Sequence, residues 1–141
     1  MVKLKIFSIG KTKEPWLKLA IEEYTTRLRP ILSIEWHLPK TDEQLVQLLT
    51  KEKTYYALDP SGKSFTSEEF SHWLFSEIDH GGSRMNLVIG GADGLPPSIR
   101  ESAHLLISLS PLTFTHQITR LVLLEQIYRA SEITKGSRYH K

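Results

Sequence analysis

MNLVIGGADGLPPS, residues 85–98, is the stretch that decides the fold class. Its first five residues are apolar apart from one asparagine, as in a strand that is buried on both faces of a parallel sheet. Residues 90–94 contain three glycines, and the two prolines that follow suit the first turn of a helix. A buried strand, a glycine-rich turn and a helix in this order predict a βαβ unit.

Strands and helices alternate on both sides of this unit. The patterns predict strands over residues 3–9, 33–38, 54–58, 85–89 and 105–107. They also predict five helices. The first begins at Pro15, the second follows a cap at Thr41 and the third a cap at Ser67. The fourth begins at Pro96, and the fifth runs from near Thr115 to near Ser131. Residues 59–62, Asp-Pro-Ser-Gly, have the composition of a turn that ends the third strand. The alternation predicts an α/β fold with one parallel sheet between helices, and residues 1–141 form a single domain.

The composition excludes several kinds of site and location. The chain has 141 residues and no cysteine, which excludes disulfides, cysteine–zinc sites and a thiolate nucleophile. Its six histidines show no metal-ligand spacing, and there is no serine nucleophile motif or acidic magnesium cluster, so we expect no metal. No apolar stretch is long enough to span a membrane, and the lysines in the N-terminal apolar run argue against a signal peptide. We therefore expect a cytoplasmic protein with no membrane partner.

Basic residues are concentrated at the C-terminal end. Residues 129–141 carry four lysines and arginines against one acid, whereas the whole chain has a net charge of only +2. Such an end can bind phosphate groups, or it can be a solvated chain terminus. The charge pattern alone leaves both interpretations open.

The predicted topology directs attention to three loops. In open α/β sheets ligands bind beyond the carboxyl ends of the strands, so the loops after Leu58, Ile89 and Ile107 are the candidates. The glycines of residues 90–94 allow a ligand to lie against the main chain, but a tight turn without a ligand uses them equally well. Residues 109–114 combine apolar side chains with free amides and hydroxyls, which suit either a flat heterocycle or an ordinary surface loop.

The last predicted helix is apolar nearly all round. Its apolar residues are Ile118, Leu121, Val122, Leu123, Leu124, Ile127, Tyr128 and Ala130. In a domain of this size the C-terminal helix normally has a solvated face, so the pattern suggests that a second copy of the chain covers it. Glu125 and Arg129 have the spacing of a helical ion pair, and His116 and Arg120 have the same spacing on another side.

Four stretches resemble one small family of enzymes. They are LVIGGADGL at residues 87–95, SLSPLTFTHQ at 108–117, LLEQIYRA at 123–130 and YHK at 139–141. Over its whole length the chain resembles the ribosomal RNA large subunit methyltransferase H family, which methylates N3 of a pseudouridine in 23S rRNA. That family belongs to the SPOUT class of methyltransferases, whose C-terminal part forms a trefoil knot.

The resemblance implies a methyl donor, partners and donor-binding residues. It implies S-adenosylmethionine bound in the knot, and an obligate homodimer that acts on 23S rRNA. Because the domain offers little basic surface for naked RNA, we expect the substrate to be the rRNA of an assembled ribosome, in the large subunit or the whole ribosome. By position, the donor-binding residues of the family fall on Leu58, Gly90, Leu109, Ser110, Pro111, Leu112, Thr113 and Phe114. These residues lie in the same three loops that the topology selects.

Transfer of a methyl group from a sulfonium needs alignment and a proton acceptor, but it needs no protein nucleophile. His140 is the first candidate for the acceptor, since a histidine with an ordinary pKa of about 6.5 is largely neutral at cellular pH. His116 and Glu125 are the second candidates. His140 can also be a tail residue that becomes ordered on RNA and takes no part in the chemistry.

The other residues of the basic end have candidate roles in holding the substrate. Tyr139 can stack on a base, and Arg129 and Arg138 can hold a phosphate or a pyrimidine carbonyl. Arg138 and Lys141 are the candidate RNA-binding residues. In a dimer, the tail of one chain can complete the site of the other.

Three other functions stay open on the sequence alone. The same fold can serve as a ribosome-binding factor without catalysis, or as a knotted methyltransferase that acts on tRNA or on another rRNA nucleotide. Without the resemblance, a nucleotide-binding module with flavodoxin-like strand order is a third interpretation.

Overall fold

One sheet of five parallel strands runs through the computed structural model, which describes residues 1–140. The strands are β1 (Val2–Ser8), β2 (Leu32–His37), β3 (Tyr56–Ser64), β4 (Arg84–Ile89) and β5 (Leu105–Ser108). Their order across the sheet is β2-β1-β4-β3-β5, and all neighbouring strands are parallel. The carboxyl ends of β4, β3 and β5 are therefore adjacent along one edge of the sheet.

Helices cover both faces of this sheet. Within residues 1–140 they are α1 (Pro15–Leu28), α2 (Asp42–Leu49), α3 (Ser67–His80), α4 (Pro97–Ser102) and α5 (His116–Lys135). The first, third and fifth helices share the larger apolar core, which includes Leu4 and Ile6 of β1. The second and fourth share the smaller core with Phe7, because successive residues of a strand point to opposite faces. The predicted α/β fold with a parallel sheet between helices is confirmed. None of the helices in the described part of the chain is long and apolar enough to cross a bilayer.

The third strand is longer than predicted. Leu58 and Lys63 both pair with Ile107 of β5, so residues 59–62 bulge out and the strand resumes to Ser64. A Cβ atom on Gly62 would lie 2.6 Å from the carbonyl carbon of Leu106, so this close approach of the two strands requires glycine. The predicted end of the strand at Leu58 is wrong, because the same Asp-Pro-Ser-Gly composition serves here as a bulge inside β3.

The start of α3 also differs from the prediction. Thr66, and not Ser67, is the cap: its hydroxyl accepts a hydrogen bond from the Glu69 amide at 3.1 Å. The Glu69 carboxylate in turn accepts from the Thr66 amide at 2.8 Å. This reciprocal capping box satisfies two amides that the helix itself cannot pair, and Ser67 is the first residue of the helix. The predicted cap at Thr41 is confirmed, and so is the start of the last helix near Thr115, whose hydroxyl caps it.

The fifth helix lies between α1 and α3 on one face of the sheet. Its buried inner stripe consists of Leu123, Leu124, Ile127 and Ala130. Because α1 and α3 cover its flanks, the single chain accounts for much of the apolar pattern that suggested a second copy. The outward face carries the half-buried residues Val122, Glu125 and Arg129. The helix continues past Ser131, its predicted end, to Lys135, and Gly136 caps it with a φ of +74°.

Candidate functional site

The bulge of β3 and the loops that follow β4 and β5 enclose one cleft at the carboxyl edge of the sheet. Its volume is about 290 Å³, at the lower end of the range of about 300–1,000 Å³ for small-molecule sites. All three loops selected from the sequence line it, and Pro111 is the only one of the predicted donor-binding residues that does not. The cleft is therefore a meeting point of loops that are far apart in the sequence but adjacent in the sheet.

The loop after β4 is a tight turn whose glycines are required by the main chain itself. A Cβ atom on Gly90 would lie 2.7 Å from the carbonyl carbon of Gly94 and 2.8 Å from the nitrogen of Leu95. Gly94 has a φ of +85°, which favours glycine. Gly90 also lines the cleft. The two interpretations of this stretch are thus compatible, since the turn that needs the glycines also presents bare main chain to the cleft.

The loop after β5 places apolar side chains at the mouth of the cleft. Its conformation is held by the Ser108 hydroxyl, which donates to the Ser110 carbonyl, and by the Leu112 amide, which donates to the Ser110 hydroxyl, both at 3.0 Å. Leu112 is 73% exposed and Phe114 is 41% exposed. Large apolar side chains at the rim of a cleft are surfaces that a bound ligand can cover.

The wall formed by the bulge of β3 contains an ionised cluster that the sequence did not single out. The Asp59 carboxylate lines the cleft and accepts from the Ser61 amide at 2.8 Å and from the Arg100 guanidinium. Arg100, on α4, also donates to the Ser61 hydroxyl at 3.0 Å. Burial would raise the pKa of Asp59, but the hydrogen bonds from Ser61 and the charge of Arg100 outweigh it and lower the pKa. The cluster fastens the bulge of β3 to α4 and so fixes one wall of the cleft.

Replacement of Asp59 by asparagine is expected to destabilise the protein at neutral pH by about 1 kcal/mol. A carboxyl group whose pKa is lowered by folding stabilises the folded state above its ordinary pKa, and that contribution is lost as the pH falls through the lowered value. The difference in the free energy of unfolding between wild type and Asp59→Asn should therefore shrink below about pH 4. Urea denaturation at pH 7 and pH 2.5 measures it, and an equal difference at both values would contradict a role for the ionised carboxylate.

His116 is a predicted catalytic residue that the structure places at the cleft. It is the first residue of α5, and it lines the cleft. Burial, and then the positive charges of Arg120 and Lys13, lower the pKa of His116. At cellular pH the imidazole is therefore neutral, which is the form that can accept a proton.

Arg129, Tyr139 and His140 form a second group, called here the tail cluster. The Tyr139 hydroxyl donates to the Glu125 carboxylate at 2.9 Å, and Arg129 binds the same carboxylate at 3.0 Å. Arg129 also lies 3.1 Å from Nδ1 of His140, whose Nε2 lies 3.0 Å from the carboxylate of Glu68 on α3. The C-terminal tail thus folds back over the outward face of α5.

The hydrogen bonds define how the tail cluster is protonated in this arrangement. A guanidinium can only donate, so Nδ1 of His140 accepts from Arg129, and Nε2 carries the hydrogen that is donated to Glu68. Both ring nitrogens are engaged, so His140 must give up one of these bonds before it can take a proton from a substrate. Burial, and then the Tyr24 hydroxyl and the Glu125 carboxylate, raise the pKa of Tyr139, which therefore stays protonated.

The cleft and the tail cluster lie at opposite ends of α5. Arg129 follows His116 by 13 residues in the same helix, a rise of about 20 Å at 1.5 Å per residue. Within one chain, His116 is therefore at the cleft and the tail cluster is not. Arg138 is exposed in the tail, and the prediction for Lys141 lies outside the described residues.

Arg120 is a second residue whose position the sequence did not predict. Its spacing paired it with His116, but its side chain is fully buried and hydrogen-bonds to the segment that follows β1. A charged residue within an otherwise apolar stretch of helix is the signal that could have identified it. In the part of the chain that the structure describes, no cluster of three or more His, Asp or Glu side chains is arranged to hold a metal ion.

Comparison with known proteins identifies the family to which the chain belongs. Residues 2–140 match the model of a family described as "Predicted SPOUT methyltransferase". A ribosomal RNA large subunit methyltransferase H of Protochlamydia amoebophila is 52% identical over 141 residues, and the alignment covers 100% of both chains. Proteins of that name from Prochlorococcus marinus and Streptococcus sanguinis are 41% and 36% identical. These two alignments cover 99% of this chain and 96% and 100% of the relatives.

A solved structure of low sequence identity shares the fold. It is the crystal structure of a probable methyltransferase from Bordetella pertussis, with a TM-score of 0.57 at 10% identity. The match covers 90% of this chain and 95% of that one. The family match and the full-length relatives together show that the chain belongs to the SPOUT methyltransferases, within the ribosomal RNA large subunit methyltransferase H family.

Proposed function

We propose that this protein transfers the methyl group of S-adenosylmethionine to N3 of a pseudouridine in 23S rRNA. The substrate is the rRNA within the large subunit or the whole ribosome, and the reaction takes place in the cytoplasm. The observation that carries the proposal is the convergence of the β3 bulge and the loops after β4 and β5 on one cleft. The relatives named as ribosomal RNA large subunit methyltransferases support an rRNA substrate.

The chemistry of the cleft suits S-adenosylmethionine. The loop after β5 offers main-chain amides and carbonyls to the edge of an adenine, and Leu112 and Phe114 supply apolar surface for its faces. Gly90, which lines the cleft, allows the donor to approach the main chain closely. When it is bound, the donor supplies a methyl group on a positively charged sulfur.

The residues of the chain have two tasks in this reaction. They hold N3 of the pseudouridine in line with the methyl group, and they take up the proton that N3 loses. The N3–H and S–CH₃ bonds break, the N3–CH₃ bond forms, and a neutral thioether leaves. Because the transfer is direct, no covalent enzyme intermediate forms, and a chain without cysteine can carry it out.

The proposal includes an obligate homodimer with a trefoil-knotted C-terminal region, in which the tail of one chain completes the cleft of the other. The distance of about 20 Å between His116 and Arg129 along α5 supports this arrangement, since one chain does not bring the tail cluster to its own cleft. Trp16 and Leu19 of α1 are 54% and 68% exposed, and they offer apolar surface to a second copy.

His140→Ala is expected to lower the rate of transfer by about 10²–10⁴-fold, the usual contribution of a positioned base. The affinity for S-adenosylmethionine should not change, because His140 contacts Arg129 and Glu68 and not the loops of the cleft. Single-turnover rates at saturating substrate measure the effect, and His80→Ala, at an exposed histidine of α3, is the matched control. Unchanged turnover would remove His140 as the acceptor, and a loss confined to His116→Ala would transfer that role to His116.

The first test of the function is methyl transfer from labelled S-adenosylmethionine to ribosomes of a strain that lacks the modification, followed by mapping of the labelled nucleoside. Label at N3 of a 23S pseudouridine is the expected result. Label in tRNA or in another rRNA nucleotide would assign a different substrate to the same chemistry. If the protein binds ribosomes but does not bind the donor, it is a ribosome-binding factor and not an enzyme.

A further inference from the structure

The segment between β1 and α1 is fastened to α5 by a buried arginine. The guanidinium of Arg120 donates to the hydroxyls of Ser8 and Thr12, both at 3.0 Å. It also donates to the carbonyls of Ile9 and Gly10, both at 2.7 Å. The bonds to Ile9 and Gly10 hold the main chain of the segment between the two elements, called here the β1–α1 loop (residues 9–13), and the bonds to Ser8 and Thr12 hold the side chains at either side of it.

A glutamine of α5 holds the other end of the β1–α1 loop. The side-chain carbonyl of Gln117 accepts from the Lys13 amide, and its amino group donates to the Lys11 carbonyl, both at 3.1 Å. With their main-chain groups held in this way, the lysine side chains project from a rigid support. The position of a cation is thus set before any ligand arrives, which reduces the entropy lost on binding.

The β1–α1 loop lies beside the cleft. The amino group of Gln117 is 3.4 Å from Nε2 of His116, which lines the cleft. On the other side, Gly91 of the cleft wall faces Ile9, so that a Cβ atom on this glycine would lie 3.5 Å from the Ile9 side chain. A substrate that enters the cleft therefore passes close to this loop.

The loop carries positive charge without a compensating carboxylate. Lys11 and Lys13 are exposed, and within residues 1–140 neither these lysines nor Arg120 forms a salt bridge. Burial lowers the pKa of Arg120 to about 10, so the guanidinium remains charged at cellular pH. Glu14 is the only acid adjacent to the loop in the sequence. The local field therefore favours an anion at the mouth of the cleft.

We propose that the β1–α1 loop binds a phosphate of the RNA backbone through Lys11 and Lys13. This inference rests on the proposed RNA substrate, and it assigns to the chain a contact that neither the cleft nor the tail provides. Phosphate contacts of this kind position an RNA strand without reading its sequence. They suit a small enzyme that must place one nucleotide in a cleft while the rest of the strand stays outside.

The test compares two pairs of substitutions with the same change in charge. One protein carries Lys11→Gln and Lys13→Gln. The control carries Lys51→Gln and Lys53→Gln, at exposed lysines that precede β3 and so lie at the opposite edge of the sheet. Binding of each protein to large subunits from a strain that lacks the modification is measured over a range of KCl concentrations, and binding of S-adenosylmethionine is measured by calorimetry.

The loop variant is expected to bind subunits about tenfold more weakly than the control. The slope of log K against log[salt] should be shallower by about 0.7–0.9, the value for one phosphate that is no longer neutralised. Equal affinities and slopes for the two variants would overturn the proposal. A weaker affinity for the donor in the loop variant would also overturn it, because the lysines would then hold the donor's carboxylate. If the wild type binds subunits but transfers no methyl group, the proposed function fails, while the salt slopes still decide whether the loop binds phosphate.

Discussion

A chain that lacks residues 139–141 is expected to bind S-adenosylmethionine almost as well as the full chain and to transfer the methyl group at least about 10³-fold more slowly. The deleted residues contact Glu125, Arg129 and Glu68 through Tyr139 and His140, and none of these partners lines the cleft. The three loops that line it are therefore left intact. The deletion does remove the first candidate for the proton acceptor and the aromatic ring that can stack on the base.

Calorimetry for donor binding and single-turnover rates for transfer separate the two effects of this deletion. Equal losses in both measurements would show that the tail supports the cleft and has no separate role. A mixture with an equal amount of Gly90→Ala chains, at a donor concentration that fills the wild-type cleft but not the Gly90→Ala cleft, then tests whether the tail acts across the dimer. With random exchange of chains about half of the dimers are mixed, and each mixed dimer has one complete site. The mixture should therefore show about a quarter of the transfer activity of the same total amount of wild-type chains. If the two kinds of chain form mixed dimers and no transfer activity returns, the tail does not act across the dimer.

Gly90→Ala is expected to weaken binding of S-adenosylmethionine by about tenfold to a hundredfold. The added Cβ atom would lie 2.7 Å from the carbonyl carbon of Gly94 and 2.8 Å from the nitrogen of Leu95, and both of these are main-chain atoms. Since a main chain cannot yield by changing a rotamer, the turn after β4 must open or shift. The cleft wall moves with it, because Gly90, Gly94 and Leu95 all line the cleft.

Gly91→Ala is the matched control for this prediction. It adds the same methyl group one residue further along, where the nearest atom outside the adjoining residues is Cγ1 of Ile9 at 3.5 Å, an ordinary contact. Donor affinity should therefore stay within about threefold of the wild type. Similar losses in the two variants, measured by calorimetry, would show that any side chain in this turn blocks the donor, and the strain at Gly90 would not be the cause.

The fold was predictable because its signals are local. The run at residues 85–89 is apolar in the way that a strand covered on both faces requires, and the helices repeat apolar residues at three- and four-residue steps. The extension of β3 was not predictable, because it depends on the pairing of Lys63 with Ile107. Those residues are far apart in the sequence, and the composition of residues 59–62 is the same in a turn and in a bulge.

The candidate site was predictable to the extent that topology determines it. Parallel strands end at the same edge, so Leu58, Gly90 and Leu109 could be grouped before their positions were known. The contact between Asp59 and Arg100 joins residues 41 apart, and the contacts of Arg120 with the segment after β1 join residues more than 100 apart. No sequence pattern links such residues. The distance between the tail cluster and the cleft likewise depends on where α5 lies in the fold.

The strand order has a consequence for how the chain folds during its synthesis. β1 occupies an inner position, and its partner on one side is β4, so that Lys3 is paired with Arg84 and Ser8 with Ile89. A ribosome must therefore produce most of the chain before the centre of the sheet can close, and until then β1 has only β2 beside it. Pairing between such distant segments is slow, and an open strand edge can associate with other chains. We therefore expect this protein to fold late in translation and to benefit from chaperones that shield nascent chains.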